Sequence, residues 1–381
     1  MTDPMRDRGR ARWPETDLCG REKNNPMEKE KLNVRRRGNL RIAVAVTVTA
    51  AVAAFAVLAV TAAAARQGKT INVNVGLKTP IHLTLPMKLG VFTSADCASY
   101  GAAEDAWMKN YAKAHHLNMT LVDSCFDKAK QFQQIQSAIA AKTYNTIATL
   151  PVDGQTLCHL AGTQAAKANV LMAVYDQPLC GRYKGVNMHL WQPGTLFYIS
   201  GYDTKIAIQK WVKAVVKKFG PKQTVGIVEG VPTDSLHWKI NQALKVIKKK
   251  YPQFKVVAIE NTDYSAAQGY TAAQGLISAH PDLSVIMAPQ SNITEGVARA
   301  VSQAGKKGKI KIADYGGDKA VVKLMKDGLV QLTVPTWPIF EAKKVMHALM
   351  RTARGLKVKR YVNPPFKVYT PGNVNKYHPQ Y

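Results

Sequence analysis

Two kinds of apolar segment alternate along residues 88–355. Short runs rich in β-branched and aromatic residues, such as KLGVFTS at 88–94, predict buried strands. Longer segments with apolar residues every three or four positions, such as KAKQFQQIQSAIAAK at 128–142, predict amphipathic helices. Strands that are apolar along their whole length and alternate with helices are typical of parallel sheets covered on both faces. About ten such strands are too many for one sheet, so the pattern predicts an α/β protein with two doubly wound parallel-sheet lobes.

The N-terminal region has a different pattern. Residues 42–65 are uncharged over 24 positions, and a helix of that length spans the hydrocarbon core of a bilayer. Residues 1–41 carry 12 Lys and Arg against seven acidic residues and predict a disordered basic tail, which the positive-inside rule places in the cytoplasm. Both an uncleaved transmembrane anchor and a cleaved signal segment fit residues 42–65. We interpret residues 66–86 as a tether with a short extended piece at INVNV.

The chain is strongly basic. Lys and Arg number 53 against 25 Asp and Glu, which gives a net charge of +28. Lysine runs such as KKKY at 248–251 fall at predicted helix ends, where cations suit the helix dipole, so a solvated surface accounts for much of this charge. No nucleic-acid-reading motif accompanies it, and we expect no nucleic-acid partner.

Five cysteines are consistent with an exported domain. Cys19 lies in the predicted cytoplasmic tail and should be unpaired. Cys97, Cys125, Cys158 and Cys180 would lie in an oxidising compartment, where an even number of cysteines favours disulfides. Three pairings of the four are possible, and four buried thiols are the alternative. Their spacing fits no zinc site.

The sequence contains no arrangement typical of an enzyme. GxSxG, Walker and HExxH motifs are all absent from it. The adjacent pair His115 and His116 falls on a predicted helix without a third ligand at metal spacing. We therefore predict a protein that is not an enzyme and needs no cofactor or metal.

Polar side chains follow the carboxyl ends of most predicted strands. In open parallel sheets this edge is where ligands bind. Any single one of these residues could instead cap the following helix. Taken together, two such rows on two facing lobes predict a cleft that closes on a small polar ligand. The candidates are Thr93, Ser94, Asp96, Asp176, Gln177, Asp234, Gln290, Asn292, Asp314, Tyr315, Thr336 and Trp337.

Four segments resemble one known family. They are QQIQSAIAAKTYNTIATLPVD (133–153), VYDQPL (174–179), LISAHPDLSVIMAPQSNITEGVARAVSQAG (276–305) and KLMKDGLVQLTVPTWPIFEAKK (323–344). Each motif is weak by itself, but their order and spacing over about 270 residues are specific. From about residue 87 to 356 the chain resembles a type I periplasmic binding protein of the ribose-binding-like branch. Such a protein is the substrate-binding component of a sugar-type ABC transporter.

The resemblance implies an arrangement of domains. One lobe would comprise residues 87–199 plus 337–360, and the other residues 200–336 plus 361–381. A three-strand hinge would join them near Tyr202–Asp203, Asp314–Gly317 and Pro335–Pro338. The implied order of strands makes Cys97 and Cys125 neighbours, which predicts a disulfide between them, and the same logic makes a Cys158–Cys180 disulfide plausible.

The resemblance also implies which residues bind the ligand, with departures. Asp176 keeps a carboxylate that the family uses to grip hydroxyls, but Gln177 replaces the arginine beside it. Asp234 stands where the family often has another arginine. The family's hinge Asp falls on Gly316, two residues after Asp314. Tyr100, Trp238, Tyr315 and Trp337 are aromatic candidates that could stack on a sugar face or surround an ammonium group.

Two functional classes follow from this resemblance. The first is an extracytoplasmic, monomeric receptor that delivers a small polar ligand, a sugar or an amine-like or betaine-like solute, to ABC permease subunits. The second is a membrane-anchored sensor of the same fold. A sensor normally carries its own cytoplasmic output domain, and a tail of 41 residues is too short for one, which favours transport.

Overall fold

The computed structural model describes residues 68–94, 98–202, 204–232 and 235–381. The predicted tail at 1–41 and membrane segment at 42–65 lie outside the described residues. Among the helices described, none combines the length and apolar character needed to cross a bilayer. Residues Lys69–Tyr381 form one structural unit.

A short antiparallel hairpin begins this unit. Its strands are β1 (Thr70–Val73) and β2 (Ile81–Thr84). The side chains of Val73, Ile81 and Leu83 are buried in the core of the first lobe. The interpretation of residues 66–86 as a tether is therefore wrong for the hairpin, because alternate residues of β2 point into a folded core.

Leu83 tests whether the hairpin is part of the fold. Its side chain is 0% exposed, so we expect Leu83→Ala to reduce the free energy of unfolding by about 2–5 kcal/mol. The measurement is urea unfolding of the full chain. Thr84→Ala, at the exposed neighbouring position, is the control and should reduce the free energy of unfolding by much less. Equal stabilities of the two variants would mean that the hairpin does not support the lobe.

The first lobe contains a six-stranded parallel sheet. Its strands lie in the order β13-β7-β6-β5-β3-β4. The bounds are β3 (Lys88–Thr93), β4 (Asn118–Asp123), β5 (Thr146–Thr149), β6 (Leu171–Asp176), β7 (Thr195–Ser200) and β13 (Tyr361–Val362).

The second lobe contains a five-stranded parallel sheet. Its strands lie in the order β12-β11-β10-β8-β9. The bounds are β8 (Gln223–Glu229), β9 (Phe254–Asn261), β10 (Val285–Ala288), β11 (Lys311–Gly316) and β12 (Leu332–Pro335). The inner strands of both sheets are buried because helices cover both faces, whereas the edge strands β4 and β9 carry exposed residues.

Helices connect successive strands, as the alternation in the sequence predicts. In chain order they are α1 (Ser99–Ala114), α2 (Lys128–Ala140), α3 (Ala165–Lys167, after a π-helical turn at Leu160–Gln164), α4 (Lys205–Phe219), α5 (Ser235–Lys250), α6 (Ala266–Ala279), α7 (Ser291–Gln303), α8 (Lys319–Lys326) and α9 (Pro338–Ala353). Several begin with a polar cap: Asp127, for example, accepts hydrogen bonds from two backbone amides of α2.

The chain passes between the two sheets between β7 and α4, at 336–337 and at 363–365. The helix α9 returns to the first lobe and packs on α1. The two residues of β13 pair with β7, so this strand belongs to the first lobe rather than to the second. Phe366 and Tyr369 then pack in the second lobe. Residues 314–316 do not cross between the lobes, because they lie inside β11 with a strand on each side.

Candidate ligand-binding site

The carboxyl ends of both sheets face one another across a small cavity, which we call the inner cavity. It has a volume of about 80 Å³. A neighbouring cavity of about 440 Å³, which we call the outer cavity, shares the lining residues Val152 and Gln177 with it. The inner cavity is lined by Ser94, Ala98, Tyr100, Phe126, Leu150, Pro151, Val152, Asp176, Gln177, Tyr202, Leu236, Tyr264 and Gln290.

Asp176 forms part of the floor of the inner cavity. It ends β6 with a left-handed backbone, φ 58°, and its side chain is 7% exposed. The Tyr198 hydroxyl donates to its backbone carbonyl at 2.6 Å, and the Gly201 amide donates to the same carbonyl at 3.1 Å. A Cβ on Gly201 would lie 1.7 Å from Asp176 Oδ1. Glycine at 201 therefore leaves the space that the carboxylate occupies.

Side-chain hydrogen bonds between described residues join the lobes around the cavity. The Ser235 hydroxyl of α5 donates to Gln177 Oε1 at 2.9 Å. The Ser99 hydroxyl at the start of α1 donates to Asn292 Oδ1 in α7 at 3.0 Å. Gln290 caps α7, since its side-chain oxygen accepts the Asn292 amide at 2.9 Å. The described lobes are thus closed on one another, which explains the small volume of the inner cavity.

Aromatic rings form much of the cavity wall. The rings of Tyr100 and Tyr202 have centroids 5.1 Å apart. Phe126 and Tyr264 stack across the two lobes with centroids 5.8 Å apart. A Cβ on Gly230 would lie 1.9 Å from the Tyr264 ring, so glycine is needed there to seat that ring. Stacked faces of this kind suit the apolar face of a sugar or an organic cation.

Sequence reasoning missed Phe126, Tyr202 and Tyr264 as cavity residues. Tyr202 was assigned only to the hinge. All three follow strand ends by two or three residues, at β4, β7 and β9. An aromatic side chain two or three residues past a strand end is the signal in the sequence that indicates them.

Buried acids surround Tyr100 and Asp176. Glu104 on α1 is 0% exposed, and within the described part of the chain neither of its carboxylate oxygens has a hydrogen-bond partner. Burial raises the pKa of Glu104 well above its ordinary value, and the neighbouring carboxyls of Asp105 and Asp176 raise it further. Burial, followed by Glu341 and Asp176, also raises the pKa of Tyr100. This side of the cavity therefore contains several acidic groups, and burial favours the protonated form of Glu104 and Tyr100.

The cavity brings together five of the predicted residues: Ser94, Tyr100, Asp176, Gln177 and Gln290. Trp238 lines the outer cavity, where its ring contacts Tyr183 at 5.4 Å between centroids. Asn292 lies beside the cavity in its contact with Ser99. That these residues bind a ligand stays a prediction. Asp96 and Asp234 lie outside the described residues.

Asp314 has its bonding partners inside the second lobe and does not line the inner cavity. Its carboxylate accepts from Thr294 Oγ1 at 2.6 Å, from Thr333 Oγ1, and from the Gly317 amide at 2.8 Å. Burial raises its pKa to about 7, although these hydrogen bonds lower it. The residue ties α7 and β12 to the end of β11.

The other predicted residues also contact their own surroundings rather than the inner cavity. Thr93 is fully buried, and its carbonyl accepts from Ser124. The Tyr315 hydroxyl donates to the carbonyl of Tyr202 in the first crossing segment. Thr336 Oγ1 donates to Gly316 O at 3.1 Å, and Trp337 Nε1 donates to Pro365 O at 2.8 Å. The last three residues stabilise the segments that connect the lobes.

Disulfides are present in the first lobe. The predicted Cys158–Cys180 disulfide is confirmed. It fixes the loop after β6, and this loop contributes residues to the outer cavity. Cys125 is also disulfide-bonded, while its predicted partner Cys97 lies outside the described residues.

One family model matches this chain, whose two parallel-sheet lobes have a cavity between their strand ends. The model of the periplasmic binding protein domain matches residues 94–357. The chain belongs to this family. Its relatives are substrate-binding proteins of ABC transporters, so this periplasmic binding protein is not an enzyme.

Known relatives place this periplasmic binding protein in the ribose-binding branch of type I. It is 22% identical to the D-ribose/D-allose-binding protein of Pseudomonas aeruginosa over 244 residues, 64% of this chain and 73% of the relative. It is 25% identical to the ribose import binding protein RbsB of Bacillus subtilis over 156 residues, 41% of this chain and 50% of the relative. The second match thus spans half of that relative.

Solved structures show the same fold. An ABC transporter solute-binding protein from Bacillus halodurans with bound myo-inositol has a TM-score of 0.67 at 16% identity, with 77% of this chain and 98% of that one covered. One from Actinobacillus succinogenes with bound D-allose has a TM-score of 0.65 at 18% identity, with 76% and 99% covered.

Proposed function

We propose that this periplasmic binding protein captures a small polyhydroxylated solute, a sugar or cyclitol, between its lobes and delivers it to the permease subunits of an ABC importer. The observation that carries the proposal is the inner cavity, in which Asp176 and Gln177 of one lobe face Gln290 of the other. Carboxylate and amide groups are the hydrogen-bonding partners that hydroxyl groups need. The sugars and cyclitols named for its relatives support the same ligand class.

Capture would couple ligand binding to closure. The cavity is small because Ser235, Gln177, Ser99 and Asn292 hold the lobes together, so a ligand must enter when these contacts are open. Rotation about the crossing segments, which lie between β7 and α4, at 336–337 and at 363–365, would separate the lobes. A ligand that contacts both lobes favours the closed form by its additional contacts there.

We also infer that the binding domain works outside the cytoplasm. The Cys158–Cys180 disulfide supports this location, because structural disulfides persist mainly in oxidising compartments. The importer would then meet the loaded protein on the outer side of the membrane. Attachment through residues 42–65 stays a prediction.

A ligand titration tests the proposed function. We expect one or more of D-ribose, D-allose, myo-inositol, D-tagatose and L-arabinose to bind the full chain in calorimetry and to raise its thermal midpoint. A ligand at 100 times its Kd stabilises the bound protein by about 2.7 kcal/mol. L-Glutamate serves as the control, because the inner cavity offers an acidic ligand no described lysine or arginine. Binding of glutamate without binding of any sugar or cyclitol would contradict the proposal.

A further inference from the structure

The lining of the inner cavity is acidic, whereas the chain as a whole is strongly basic. Although the net charge is +28, no lysine, arginine or histidine occurs among its thirteen described lining residues. Asp176 is the ionisable acid in that lining.

Further carboxyl groups lie behind Asp176. Glu104 and Asp105 on α1 and Glu341 on α9 are all 0% exposed. Electrostatic coupling links Glu104 and Glu341 to both Tyr100 and Tyr175, which shows that these groups share one buried region. Desolvation makes each buried negative charge costly unless a cation or several hydrogen-bond donors compensate it.

Two buried polar groups lack the partners that such a region needs. The hydroxyl of Tyr100 lines the inner cavity and, among the residues described, has no hydrogen-bond partner. Glu104 behind it is equally unsatisfied at both oxygens. Buried polar groups are normally hydrogen-bonded, so the orphaned hydroxyl of Tyr100, a residue of the cavity lining, points to a group that arrives with a ligand.

The aromatic rings favour a positive group in the same place. Tyr100, Phe126, Tyr202 and Tyr264 line the cavity around Asp176. A desolvated ammonium group is attracted to ring faces and to a carboxylate at once, and it donates up to three hydrogen bonds. A neutral hydroxyl group can donate to Asp176, but it brings no positive charge to this carboxylate.

We propose that the ligand of the inner cavity carries a protonated amine, as an amino sugar or amino-substituted cyclitol does, and that this amine lies against Asp176 and the surrounding rings. The proposal rests on the proposed function, which supplies the polyhydroxylated skeleton. It narrows the substrate class from neutral sugars to their amino derivatives.

Proton release provides a readout that distinguishes the two kinds of ligand. A bound cation makes ionisation of the neighbouring buried acids easier, so they lose protons on binding. The groups facing this region are Tyr100, Glu104 and Asp105 on α1, Tyr175 and Asp176 on β6, Glu341 on α9, Tyr202, and Tyr381 against the Tyr100 ring. The basic residues of α9 nearest to α1, Lys343 and His347, contact Trp107 instead.

The experiment compares ligands that differ at one substituent. The full chain is titrated calorimetrically with D-glucosamine, D-glucose and N-acetyl-D-glucosamine, and with the corresponding galactose series, at pH 5 to 7 in buffers of different ionisation enthalpy. We expect an amine to bind at least about tenfold tighter than its neutral counterparts, to gain affinity as the pH rises, and to release protons. Glu104→Gln should reduce the proton release while the amine still binds. Ser278→Ala, on the distant helix α6, is the matched control.

The outcomes separate this inference from the proposed function. Neutral sugars that bind as tightly as the amines, or amine binding without proton release, would overturn the inference and leave sugar capture standing. Binding of a simple amine such as putrescine, without binding of any sugar or amino sugar, would overturn the proposed sugar skeleton. Absence of binding across both series and the neutral panel would overturn both.

Discussion

Gly201→Ala will raise the Kd for the captured ligand by roughly 100-fold, the effect expected when a desolvated charged contact is lost. A Cβ at residue 201 would lie 1.7 Å from Asp176 Oδ1. The carboxylate must then move, because the backbone of Asp176 is held by hydrogen bonds from Tyr198 and Gly201. The affinity is measured by calorimetry with the tightest ligand of the panel.

Gly275→Ala is the matched control for this variant. Gly275 lies exposed on α6, and a Cβ there would meet nothing within 4 Å. Both variants should retain a cooperative thermal transition. A Gly201→Ala protein that folds and binds with the wild-type Kd would show that Asp176 does not contact the ligand.

Acidification from pH 8 to pH 5 will stabilise the protein. Asp314 has a pKa of about 7 in the folded state against an ordinary value of 3.8, so the folded state holds a proton between these values that the unfolded state has released. The free energy of unfolding therefore falls as the pH rises from 5 to about 7, by roughly 3 kcal/mol for Asp314 alone. Burial raises the pKa of Glu104 in the same direction.

Urea unfolding between pH 5 and pH 8 measures this dependence. Asp314→Asn and Glu104→Gln should each flatten it, and Glu104→Gln should raise the stability at pH 8, because a neutral amide replaces a buried acid. Glu260→Gln, at an exposed position of β9, is the control and should leave the dependence unchanged. A stability that increases from pH 5 to pH 8 would contradict the buried-acid interpretation.

The two-lobed fold could be predicted because its strands are long apolar runs separated by helices. The hairpin β1–β2 could not, because its alternation of buried and exposed residues extends over only four positions per strand. Its burial depends on contact with the first lobe, which local sequence does not encode. The two-residue strand β13 was assigned to the wrong lobe for the same reason, since no pattern exists in two residues.

The site was predicted in part, because a position at a strand end brings a side chain to the correct edge but does not set its direction. Asp176 and Gln290 point into the cavity. Asp314 occupies the same kind of position, yet it bonds to Thr294 and Thr333 inside its own lobe. The hydroxyl groups that bind Asp314 belong to residues 19 or 20 positions away in the sequence. Local sequence therefore does not indicate the direction of its side chain.

The most direct test of ligand capture between the lobes is calorimetric titration of Asp176→Asn beside the wild-type protein, with whichever sugar, cyclitol or amino sugar binds best. The substitution keeps the shape of the side chain and removes its charge. Our account predicts one site per wild-type chain and a Kd at least about 30-fold higher in the variant, as for a desolvated charged contact. An unchanged Kd in a folded Asp176→Asn protein would contradict it.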